Sequence, residues 1–127
     1  MFGQESIYGQ RMVTVDHKGR LMLPKFTGIE PQEILLIVDN IDYLSLYKEE
    51  MIETKIKMLE ELYINSDSDK KRKIELELLK IYESVLKKVK SDNQRRINLG
   101  EIKTDSNNFL CVGAKDHVIF KTKCVKK

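Results

Sequence analysis

Two nonapeptides near opposite ends of the chain constrain its fold more than anything else in it: DHKGRLMLP at residues 16–24 and DNQRRINLG at residues 92–100. Aligned position for position, Asp16 meets Asp92, Arg20 meets Arg96, Leu21 meets Ile97 and Leu23 meets Leu99, a constant offset of 76 residues. The surroundings repeat too. ILLIVDNIDYLSLY and NFLCVGAKDHVIFK share one order of an apolar run, an Asp-containing turn and an alternating strand, so each copy is about 35 residues long. A unit of that size lies below the ~40 residues at which domains fold unaided. The two copies are therefore expected to pack on one another around one core.

The chain's 127 residues suit that reading, since they amount to one ordinary domain. We divide residues 1–127 into a first β module at 11–47, a helical hairpin at 48–90 and a second β module at 91–124. In RMVTVDHKGRLML, Val13, Val15, Leu21 and Leu23 alternate at period two around the turn-forming HKG, which reads as a β-hairpin or a strand, loop, strand unit. Pro24, Gly28 and Pro31 then interrupt. The connections PKFTGIEPQE and GEIKTDSNN are short and rich in breakers, so neither is expected to hold a helix. In the middle segment the period changes. Met51, Ile52, Ile56, Met58, Leu59 and Leu62 form one stripe at helical spacing, and Ile74, Leu78, Ile81, Tyr82, Val85, Leu86 and Val89 form another. Between them NSDSD offers Ser66, Asp67, Ser68 or Asp69 as caps for the second helix. The KKRK run at 70–73 has acidic residues on both sides and reads as a solvated helix face.

Several classes of function find no support. No apolar run approaches the ~18 residues of a membrane span, and MFGQESIYGQ lacks the layout of a secretory signal, which points to the cytosol. Cys111 and Cys124 lack metal-ligand spacing and are expected to be reduced, packed thiols. His17 beside Asp16 and His117 beside Asp116 suggest acid/base pairs; adjacent strand residues point to opposite faces and a turn would bring them together, but no nucleophile or ligand set accompanies them, so both are expected to be solvated. The glycines form no phosphate-binding loop. We therefore expect no enzyme, no cofactor, no metal site and no catalytic residue. Positive charge gathers in residues 91–127, with eight Lys/Arg against four Asp/Glu, which suits a polyanionic partner.

DHKGRLMLP resembles the D-x-x-G-R-x-x-x-P motif of the AbrB-type (SpoVT-AbrB) swapped-hairpin DNA-binding domain. Its occurrence in two copies separated by a helical stretch resembles the MraZ family of bacterial transcriptional regulators, and FLCVGAKDHVIFK is similar to the strand pair that follows the second motif there. The likeness spans residues 11–47 and 92–121. It implies an α+β fold in which two swapped-hairpin β modules form one pseudo-twofold β barrel, with the helical hairpin between them. It also implies a cytoplasmic, nucleoid-associated regulator that binds double-stranded DNA through arginine-bearing hairpins and assembles into homo-oligomers such as rings. The second copy departs from the motif, with Arg95 at the glycine position and Gly100 at the proline position. If the turn requires positive φ, Arg95 makes it either strained by about 1 kcal/mol or different in shape.

The chemistry of the two loops fits a nucleic acid. Asp16 can accept loop N–H groups or hold the Arg20 guanidinium in a bidentate pair, with Gly19 supplying the turn, and Asp92 can do the same for Arg96. Arg11, Lys18, Arg20 and Lys25 would lie near the first loop, and Arg95, Arg96 and Lys103 near the second. Such cations supply affinity through phosphates and selectivity through guanine edges. For Arg20 and Arg96 a structural salt bridge is an equal expectation, and the two roles are compatible. The competing class is an AbrB-fold protein-interaction module, an antitoxin-like or oligomerisation scaffold with weak DNA contact.

Overall fold

The structure is a computed structural model that describes residues 7–40, 43–100, 102 and 107–122. It is α+β. Strands β1 (Gln10–Thr14), β2 (Arg20–Met22), β3 (Ile34–Asn40) and β4 (Tyr43–Lys48) precede helices α1 (Glu49–Ile64) and α2 (Ser68–Ser84). Strands β5 (Val85–Lys90), β6 (Arg96–Asn98), β7 (Asn108–Gly113) and β8 (Val118–Thr122) follow. Six strands form an antiparallel sheet in the order β1-β7-β8-β4-β3-β5, and β2 pairs with β6 in a separate two-stranded ribbon. Exchanging β1 with β5, β3 with β7 and β4 with β8 returns the same order reversed, so the topology has an internal twofold. Its axis passes through the Leu21–Ile97 pair of the ribbon and the Ser45–Ile119 pair of the sheet.

This symmetry is built by strand exchange between the two copies. The first strand of each copy leaves its own copy and pairs with the third strand of the other, Val13 opposite Phe109 and Val89 opposite Leu35. Core positions match across the dyad: Val13 with Val89, Leu21 with Ile97, Leu23 with Leu99, Leu35 with Phe109 and Ile37 with Cys111 all belong to one buried cluster. A single core therefore draws half its side chains from each copy. Phe109 and Phe120 meet edge-to-face within it, 6.3 Å between centroids. The ladder stays open between β1 and β5 among the described residues, so the expected barrel is not seen as a closed ring of hydrogen bonds.

The helices follow local chemistry. Glu49 and Glu50 place negative charge in the first turn of α1, and the Asp67 carboxylate caps α2 by accepting from the Lys70 N–H at 2.9 Å. Ile52, Leu59 and Ile74 are buried, whereas Met58, Leu62 and Tyr82 of the same stripes are more than half exposed. In the KKRK run, Lys71 lies over the Tyr63 ring, 5.1 Å from its centroid, and Lys70, Arg72 and Lys73 are exposed. No helix among the described residues is long and apolar enough to cross a membrane.

Two expectations require correction. Residues 85–90 are not the end of the helical hairpin but strand β5, in which Val85, Lys87 and Val89 alternate with the exposed Leu86, Lys88 and Lys90. Valine spacing there suits either period, and hydrogen bonding to β3 decides in favour of the strand. The connection after Pro24 also holds a short 3-10 turn, Lys25–Thr27, ended by Gly28 at φ 70° and tied by the buried Thr27 hydroxyl donating to the Pro24 carbonyl at 2.7 Å.

Candidate nucleic-acid interface

The two repeated turns are built by the same bonds. One Asp16 oxygen accepts from the backbone N–H groups of Lys18 and Arg20, both at 2.9 Å, and the other accepts from Arg20 Nε at 3.0 Å. Asp92 repeats this with Gln94 and Arg96 at 2.8 Å and with Arg96 Nε at 2.7 Å. The Gly19 N–H donates to the Asp16 carbonyl and the Arg95 N–H to the Asp92 carbonyl, each at 3.0 Å. Each turn is then clasped by the other copy, since Leu99 N–H donates to Gly19 O and Leu23 N–H to Arg95 O, both at 2.9 Å. The bonds that shape the turn come from backbone N–H groups and survive any change of the arginine side chain. The guanidinium is bound on one side through Nε, which leaves its terminal nitrogens outside that pair.

Arg95 decides between strain and a different shape. Its φ is 59°, in the same left-handed region as Gly19 at 79°, so the second turn keeps its form with a residue that disfavours it. Arg95→Gly should raise stability by about 1 kcal/mol, read as a higher denaturation midpoint at unchanged slope.

The carboxylates that frame the turns are held below the ordinary aspartate range. For Asp16 the main cause is the hydrogen bond from the Arg20 backbone N–H, and for Asp92 that from the Arg96 N–H. A depressed folded pKa means stabilisation that is present above the unfolded value of about 3.9 and lost as pH falls through the folded one. NMR titration of the two carboxyl carbons should give midpoints below that value, with the Lys18, Arg20, Gln94 and Arg96 amide shifts moving in step.

The β2·β6 ribbon carries the turns at its two ends. Leu21 and Ile97 point into the core, so Arg20, Met22, Arg96 and Asn98 share the outer face, with Arg20 opposite Asn98 and Met22 opposite Arg96. Arg11, Lys25 and Arg95 come together around a cleft of about 470 Å³ floored by Met12, Met22 and Phe26. Lys18 is exposed beside a second cleft of about 460 Å³ against Leu99 and Gly100. Lys103 and Cys124 lie outside the described residues. The sequence reading missed Lys87, which occupies the position equivalent to Arg11 and donates through Nζ to the Asn98 carbonyl at 3.3 Å. The 76-residue offset pointed to it, but assigning 85–89 to a helix concealed the match.

His17 belongs to the first turn and is exposed. Asp116 and His117 meet, as a turn allows. They precede β8 in a turn that brings His117 Nδ1 within 2.7 Å of Asp116 Oδ1, and the Tyr47 ring stacks on the imidazole at 4.5 Å. Burial pushes the Cys111 thiol up to about 12, which leaves it un-ionised and unreactive at neutral pH. No family model matches the chain and no curated protein aligns with it significantly.

Proposed function

We propose that the chain is a sequence-specific DNA-binding transcriptional regulator of the MraZ/AbrB type, acting in the cytoplasm at the nucleoid. The observation that carries this reading is the pair of turns, shaped by backbone bonds, fixed by the other copy and carrying Lys18, Arg20, Arg95 and Arg96. Rigid presentation lowers the entropic cost of binding a polyanion. Strand exchange across the dyad supports the swapped-hairpin fold, and a barrel-like closure of the two modules belongs to the same reading. A two-stranded antiparallel ribbon also has dimensions that enter a major groove.

Exposed Met58, Leu62, Leu76, Leu79 and Tyr82 on the helical hairpin favour a second role, self-association of protomers into a homo-oligomer such as a ring. The same face supports the competing reading, a scaffold whose partner is protein. Salt dependence separates them. With about six phosphate contacts, affinity for duplex DNA should fall about 10³-fold between 50 and 200 mM salt. Affinity indifferent to salt, or no duplex binding at 50 mM, would remove the DNA reading and leave the scaffold.

A further inference from the structure

We infer that the cleft between β1 and the second turn binds a small phosphomonoester that carries an apolar body. This goes beyond the DNA-binding reading and does not depend on it. At about 470 Å³ the cleft has the size of a small-molecule site. Its chemistry is divided. Arg11, Lys25 and Arg95 bring three positive charges to it and no acidic side chain lines it. Among the described residues none of the three forms an ion pair. The apolar part is Phe26 with Met12 and Met22, which are 46% and 54% exposed. Phe26 is already in place, held in the Lys25–Thr27 turn and packed so closely on Gly9 that an added Cβ there would stand 2.9 Å from the ring.

The repeat alone does not account for this cleft. Across the dyad the second copy has Lys88 for Met12 and Asn98 for Met22, so the apolar surface is missing there. Lys87, the counterpart of Arg11, is bound to the Asn98 carbonyl at 3.3 Å, and the cleft against Leu99 and Gly100 is lined by the Asp16 carboxylate. Free cations beside apolar surface therefore occur on the first copy's side only. Arg95 adds an independent sign. Its φ of 59° is one that glycine takes without cost, as Gly19 does at 79°, and the turn has the same bonds with either residue. The chain keeps a strained residue where its guanidinium reaches the cleft, and such strain gathers at ligand sites.

The charge count selects the ligand class. A phosphomonoester carries about −1.5 to −2 at neutral pH and offers three acceptor oxygens, which suits a cluster of cations better than a single carboxylate does. Methionine side chains adapt to an aryl or an alkyl body. Under the DNA-binding reading, such a ligand would compete with the duplex for Arg95.

The test is titration of the isotope-labelled full chain, wild type and Arg95→Gly, with 1-naphthyl phosphate, octyl phosphate and inorganic phosphate, followed by backbone amide shifts. At least one of the two esters should saturate the protein, with the largest changes at residues 11–12, 22, 25–26 and 95, and the tighter ester identifies an aryl or an alkyl source. Inorganic phosphate should bind at least about tenfold more weakly, the factor expected from burying ~60 Å² of apolar surface. Arg95→Gly keeps the turn and should be the more stable protein, yet should bind the ester at least about tenfold more weakly. Inorganic phosphate binding as tightly as both esters, shifts centred elsewhere, affinity unchanged in Arg95→Gly, or no binding of either ester would each overturn the inference. All four leave duplex binding, measured without these ligands, untouched.

Discussion

Expressed separately, residues 1–66 and 67–127 will each fail to form a folded monomer. The cut falls between α1 and α2, where no strand pairing is severed along the chain, yet every cross-copy pairing is lost. Strand β1 loses β7, β3 loses β5, β4 loses β8 and β2 loses β6. The buried cluster loses half its members, including Ile97 opposite Leu21. Folding free energies of about 5–15 kcal/mol cannot survive the loss of half a core. Mixing the pieces should restore the sheet, because the exchanged strands carry the complementary edges. Because the copies are pseudo-equivalent, a piece that does fold should do so by pairing with a second copy of itself, at a midpoint that depends on concentration. Circular dichroism with sedimentation checks both statements. A folded monomeric half would refute the shared core.

Replacing Arg20 and Arg96 together by alanine should weaken duplex binding by at least about 100-fold and flatten its salt dependence by about two phosphate equivalents. The fold should persist. Asp16 and Asp92 hold their turns through the backbone N–H groups of residues 18, 20, 94 and 96, and alanine keeps all four. The ion pairs themselves are reached by solvent, their carboxylates 35% and 38% exposed, and such pairs contribute little to stability. A large fall in melting temperature with unchanged salt dependence would reassign both arginines to structure alone. Affinity and thermal unfolding measured on one preparation separate the two results.

Local chemistry made much of this architecture legible, and long-range pairing hid the rest. The Asp-to-Arg spacing of the two nonapeptides announced both turns, and the carboxylate binds both the loop N–H groups and the guanidinium, the latter through Nε and not in the bidentate pair expected. Asp67 was among the foreseen caps of α2, and the amphipathic stripe located α1. Strand β5 was hidden because Ile81, Val85, Leu86 and Val89 satisfy helical spacing as well as strand alternation, and the deciding partner, β3, lies some fifty residues away in sequence. RMVTVDHKGRLML announced two strands and a turn without disclosing that β1 and β2 meet only at the Val15–Leu21 bridge before diverging. That divergence is what sends β1 to β7.

The measurement that bears most directly on the central claim is a map of backbone amide shifts of the labelled full-length protein as a mixed-sequence duplex is added at low salt. Both turns should respond together, with the largest changes at residues 17–20 and 93–96 and little change along α1 and α2. Changes confined to the helices, or to one turn while its counterpart stays still, would contradict a paired nucleic-acid contact.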